Sequence, residues 1–140
     1  MNAATLVRPH GSVVVAADAA HPVVQALVRW DPGWLAAREL ADRRELGFPP
    51  ATRMASLSGS PRALAEFLDA ARLPAGADLL GPVPEPPRQG QEGERERDLV
   101  RVPRGEGSAL AAALAEVQGV RSARKVSEHV RVQLDPLELV

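Results

Sequence analysis

Seven positions in the last third of this 140-residue chain carry the side chains best suited to hold an anion: Arg97, Arg101, Arg121, Arg124, Lys125, His129 and Arg131. A guanidinium offers planar donors that match a phosphate or a carboxylate, and lysine and protonated histidine offer compact ones. Arg97 and Arg101 alternate with Asp98, Val100 and Val102, while His129, Arg131 and Gln133 alternate with Val130, Val132 and Leu134. A period of two places each set on one face of a strand. Two adjacent strands presenting such a set would reach several phosphates. The plain alternative is a solvated face with arginine stems lying over apolar neighbours. Arg121, Arg124 and Lys125 form the densest run of uncompensated positive charge, just after Gly119. They suit a phosphate backbone, an acidic protein tail or a solvated turn equally well.

Other chemistries lack their residues. The chain has no cysteine, which excludes disulfides, thiol nucleophiles and thiolate zinc sites. It contains no Gly-x-x-x-x-Gly-Lys-Ser/Thr phosphate cradle, and His10, His21 and His129 have no metal-ligand spacing. Lys and Arg number 17 against 18 Asp and Glu, so attraction to nucleic acid must be local rather than global. Sixteen of the basic residues are arginine, a bias that a GC-rich genome explains as well as any specific chemistry. No signal-like segment and no run of about 20 apolar residues appears, so a cytoplasmic location is expected. Trp30 and Trp34 flank a helix cap, and packing that anchors the helix is favoured over base stacking.

The elements that must position these residues follow from periodicity and punctuation. Ser12 to Ala17 is a short β-branched run that reads as a buried strand with no obvious neighbour. Pro22 to Trp30 is a short helix, and Asp31 with Pro32 restarts a longer one to Leu46, stopped by Gly47 and Pro49-Pro50. From there the chain reads as strand (Arg53 to Gly59), helix capped by Ser60-Pro61, and strand (Leu79 to Pro82). An exposed Pro/Gly/Glu/Arg loop from Glu85 to Glu96 follows, then a strand over 97–102. A helix from Ser108 closed by Gly119 and a strand over 129–134 complete the order. This β-α-β-β-α-β order predicts an α+β, ferredoxin-like domain with two helices on one face of a four-stranded antiparallel sheet. The other sheet face is expected to be open and to carry Arg97, Arg101, His129, Arg131 and Gln133.

Three segments, in order, carry a family resemblance. They are Arg38-Glu39-Leu40-Ala41-Asp42-Arg43-Arg44-Glu45-Leu46-Gly47-Phe48-Pro49-Pro50, then Leu80-Gly81-Pro82-Val83-Pro84, then Arg124-Lys125-Val126 running to Leu134-Asp135-Pro136. Together they resemble the C-terminal region of the primosomal protein N′ family, the replication restart helicases. The resemblance implies that residues 1–49 are the end of the second helicase lobe with its boundary helix. It implies that residues 50–140 are a non-catalytic domain binding branched or single-stranded DNA, single-stranded DNA-binding protein and other primosome proteins. ATP, magnesium and zinc belong to the full-length family, and no cofactor is implied for this chain. The loop Arg88 to Arg97 departs from the family, because glutamates cancel its arginines and no aromatic ring is present.

Rival readings share the element order. A small-molecule-sensing regulatory module would need a glycine-rich first turn, of which Ser58-Gly59-Ser60-Pro61 is a weak version. An acylphosphatase would need its phosphate loop after the first strand, whereas Val117-Gln118-Gly119-Val120-Arg121 follows the second helix, and the sole asparagine is Asn2. A monomer or a dimer paired through an edge strand is expected.

Overall fold

The computed structural model describes residues 6–8, 10–86 and 93–136 and divides into two compact units, Met1–Leu46 and Gly47–Val140. In the first, helix α1 (Pro22–Arg29) starts where His21 Nδ1 accepts the Val23 N–H. It ends with Trp30 in the left-handed region (φ 53°), where the Trp30 N–H meets the Leu27 carbonyl and the Asp31 N–H meets that of Ala26. This pair of bonds is a Schellman stop. Asp31 at once caps the next helix, α2 (Pro32–Leu46), its Oδ1 accepting the Trp34 N–H at 2.9 Å. Gly47, at φ +67°, supplies the left-handed residue that ends α2.

Two expectations for this unit are corrected. Ser12 to Ala17 is not a strand, and Val13, Val14 and Val15 are 49%, 91% and 47% exposed. A strand exists only as half of a ladder, and no described residue pairs with this run. Trp30 and Trp34 are not packed anchors within the unit, being 56% and 38% exposed. α2 buries none of its residues, so its side chains have no core to enter, and the Trp34 ring instead lies 6.0 Å from the Arg38 guanidinium.

The second unit has the expected element order: β1 (Thr52–Gly59), α3 (Pro61–Ala70), β2 (Asp78–Pro84), β3 (Glu96–Pro103), a 3₁₀ turn (Arg104–Glu106), α4 (Gly107–Ala123) and β4 (Arg131–Leu134). The strands form one antiparallel sheet in the order β2-β3-β1-β4, the ferredoxin-like α+β arrangement. Ser60 caps α3 by accepting the Ala63 N–H. Ala55 and Leu57 of β1 and Val100 and Val102 of β3 point to the helices. There they form one core with Leu64 and Phe67 of α3, Leu110, Leu114 and Val117 of α4, and Val130. Burying each large side chain of this set contributes about 1.5–3 kcal/mol.

The second helix differs from expectation at both ends. It starts at Gly107 rather than from a Ser108 cap, continuing out of the 3₁₀ turn, and it runs through Gly119 to Ala123. Gly119 has no atom within 4 Å of where its Cβ would lie, so it sits on an open helix surface rather than ending the helix. The stop comes at Lys125, in the left-handed region at φ 52°. There the Lys125 N–H bonds to Ser122 O and the Val126 N–H to Arg121 O, a second Schellman motif.

Candidate nucleic-acid interface

Pairing register brings the predicted cations into rows across the face away from the helices. Ser58 of β1 is partnered by Arg97 on β3 and by Arg131 on β4, so the two arginines flank a small residue in one row. With strands about 4.8 Å apart, their Cα atoms lie roughly 10 Å from each other. The next row is Leu99, Ser56 and Gln133, and the third is Asp78, Arg101 and Met54. This face is less open than the alternation suggested, because Met54, Ser56 and Ser58 are 1%, 8% and 4% exposed. Ser58, for one, is covered by Glu85 and Arg95, which hydrogen-bond its hydroxyl.

The predicted site residues separate into two groups. Arg97 is half-buried and makes no ion pair with any described residue, while Arg131 is exposed and donates from Nη2 to the Gln133 side chain at 3.5 Å. Arg124 and Lys125 are exposed in the turn after α4, and His129 is exposed in the segment leading to β4. The remaining two are held internally. Arg101 donates to Asp78 Oδ2 from Nη2 at 2.9 Å and from Nε at 3.3 Å, and to the Gly47 carbonyl from Nη1 at 3.4 Å. Arg121, with its side chain only 16% exposed, donates to the Glu128 carbonyl at 2.8 Å and lies 3.8 Å from the Glu66 carboxylate. It ties α4 to α3 and to the loop before β4.

One group was not anticipated from the sequence. The Ser58 hydroxyl donates to the Glu85 carboxylate and accepts from Arg95 Nη2 at 3.1 Å, so both ends of the β2–β3 connection fold over the Arg97–Ser58–Arg131 row. Glu85 and Arg95 are also joined by a backbone hydrogen bond of 2.9 Å. A serine facing away from the helices near the end of β1 was the available signal. The middle of this connection, Pro87 to Glu92, lies outside the described residues.

On the helix side of the sheet, Asp98 is 4% exposed and its Oδ1 has no hydrogen-bond partner among the described residues. Burial, reinforced by the nearby Glu96 charge, pushes its carboxyl above the ordinary aspartate value. Gly81, at φ +128°, is required beside it, since a Cβ there would stand 2.7 Å from Asp98 Oδ1 and 3.0 Å from Arg97 O. Elsewhere on the surface, the hydrogen bond from Arg62 holds the exposed Glu66 carboxyl below its usual value.

A family model described as the primosomal protein N C-terminal domain matches residues 44–137, which contain the whole sheet and both of its helices. The chain is 46% identical over 153 residues to the "Probable replication restart protein PriA" of Mycobacterium leprae (strain TN), a match that covers 99% of this chain and 23% of that protein. It is 44% identical over 155 residues to the protein of the same name from Mycobacterium tuberculosis (strain CDC 1551 / Oshkosh), with 99% and 24% covered. The chain thus spans about a quarter of the length of these relatives. With the family's domain matched across the β-α-β-β-α-β unit, the chain belongs to the primosomal protein N C-terminal domain family.

Proposed function

We propose that the second unit is a non-catalytic binding domain of a replication restart protein, which holds branched or single-stranded DNA against the sheet face away from the helices. The observation that carries this reading is the Arg97–Ser58–Arg131 row, in which two guanidinium groups without an ion-pair partner among the described residues flank Ser58, whose hydroxyl is held by Glu85 and Arg95. Phosphate contacts of this kind position a nucleic acid without reading its sequence. Arg124, Lys125 and His129 extend the positive surface beyond the entry to β4. Arg101 and Arg121, already engaged within the domain, serve this face by holding its frame. The same domain is proposed to dock primosome partners such as single-stranded DNA-binding protein, in the cytoplasm at the nucleoid. The relatives' names supply the replication-restart setting. In such a protein the domain contributes positioning, while nucleotide chemistry resides in other segments.

Fluorescence polarisation with forked and single-stranded DNA across a salt series tests the face directly. Arg97→Glu with Arg131→Glu should weaken binding by about tenfold or more and flatten the log–log salt slope by roughly 1.5, two phosphate contacts' worth. Unchanged affinity and slope in a folded double variant would overturn this assignment.

A further inference from the structure

We propose that the outer edge of β4 accepts an extended acidic peptide segment as a fifth strand of the sheet. This rests on the partner-docking half of the proposed function and names its surface and mode.

The two edges of the sheet are built differently. β2, at one edge, contains Pro82 and Pro84, which donate no backbone hydrogen bond, and its register with β3 shifts between Leu80 and Val83. Such an edge resists further pairing. β4, at the other edge, is Arg131-Val132-Gln133-Leu134, with neither proline nor glycine, and it is in unbroken register with β1. Among the described residues its far side pairs with no strand. An edge of this kind presents a row of backbone donors and acceptors, which is the template for strand addition.

Side chains and charge select the occupant. Arg131 and Gln133 are exposed on one face of the edge, while Val132 is partly buried and Leu134 is 49% exposed on the other. A segment alternating polar and apolar residues meets like surfaces on both sides. The neighbouring carboxylates are engaged within the domain, Glu128 by the Ser60 hydroxyl at 2.7 Å and Asp135 by Arg53. Glu128 and Asp135 are themselves exposed, but Arg131, Arg124 and Lys125 are exposed without a carboxylate partner among the described residues, so cations outnumber unpaired carboxylates at and before the strand. Acidic side chains therefore complement this edge and basic ones are repelled. A second copy fits worse, because two-fold antiparallel pairing of β4 with itself places both Arg131 side chains on the same face of a very short ribbon.

The test uses the full chain and fluorescein-labelled peptides of about eight alternating Glu and Val residues, with both ends capped so that no terminal carboxylate takes part. Matched Lys/Val peptides and Glu/Val peptides N-methylated at odd or at even positions complete the set. The acidic peptide should bind about tenfold or more tighter than the basic one. One phase of N-methylation should abolish binding and the other spare it, because only one set of N–H groups faces β4. Arg131→Glu should reverse the charge preference. Arg97→Glu should weaken DNA binding yet leave peptide affinity intact, which separates failure of this proposal from failure of the DNA reading. Absence of binding, equal tolerance of both methylation phases, or self-association through β4 with no peptide uptake would each overturn it.

Discussion

Arg101 and Asp78 are joined across β3 and β2 by two hydrogen bonds to one carboxylate oxygen, 2.9 Å from Nη2 and 3.3 Å from Nε. Arg101 also reaches the Gly47 carbonyl, so it links the start of the second unit to the edge of its sheet. With side chains 26% and 60% exposed, this pair is worth about 0.5–1 kcal/mol, as partly solvated ion pairs usually are. A double-mutant cycle of Arg101→Ala and Asp78→Ala, read by urea denaturation, should return a coupling of that size. A coupling indistinguishable from zero would show that the contact does not hold the frame.

Arg121 is expected to behave unlike its neighbours Arg124 and Lys125. Its side chain is mostly buried, donating to the Glu128 carbonyl and lying near Glu66, so Arg121→Ala should destabilise the domain by about 1 kcal/mol, through the lost hydrogen bond and lost packing. Arg124→Ala should change stability by less than about 0.5 kcal/mol, as expected for an exposed surface position. Paired thermal melts and DNA-binding curves distinguish the two roles, since Arg124 should affect binding and salt slope while leaving the melting temperature in place.

Lys125 stands at the left-handed position of the Schellman stop, at φ 52°. A side chain there costs about 1 kcal/mol that glycine avoids. Lys125→Gly should therefore stabilise the folded domain by up to about 1 kcal/mol while removing one exposed cation. A lower melting temperature in this variant would contradict the helix stop described above.

Asp98 gives the stability a pH signature. Its folded carboxyl titrates above its unfolded value because burial disfavours the anion, with Glu96 adding to the effect. Relative to an uncharged residue, the site is least costly below the unfolded aspartate value, and the cost grows as pH rises through the raised folded value. Asp98→Asn should thus raise stability at neutral pH by about 1 kcal/mol, the scale of one buried polar group, and the gain should shrink toward acidic pH. A gain that is constant with pH, measured by denaturation at several pH values, would contradict this.

Gly81→Ala should cost about 2 kcal/mol or more, because its Cβ would enter both an unfavourable φ of +128° and the space held by Asp98 Oδ1 and Arg97 O. The same substitution at Gly119, where nothing lies within 4 Å, should stabilise α4 by about 1 kcal/mol. Chemical denaturation of the two variants side by side gives opposite signs if the helix runs through Gly119.

The element order and the cap at Asp31 were legible because they are local: proline and aspartate bias the backbone within a turn of themselves, and alternation marks a half-buried strand. The end of α4 was not, because Gly119 is a stop only if the chain leaves the helix there. Val120 and the Schellman bonds at Lys125 and Val126 carry the helix four residues further. The run Ser12 to Ala17 has strand chemistry but no ladder, which composition cannot reveal.

By itself the sequence determined the α+β order, the arginine-bearing alternation at Arg97 and Arg131, and the helix stop at Gly47, since each depends on neighbours a few residues away. Tertiary structure alone decided which cations are available. Arg101 and Arg121 are held by Asp78, Gly47, Glu66 and Glu128, whereas Arg97 and Arg131 flank Ser58 in one row. Availability depends on contacts between residues far apart in the chain, and only strand register and helix packing bring those together.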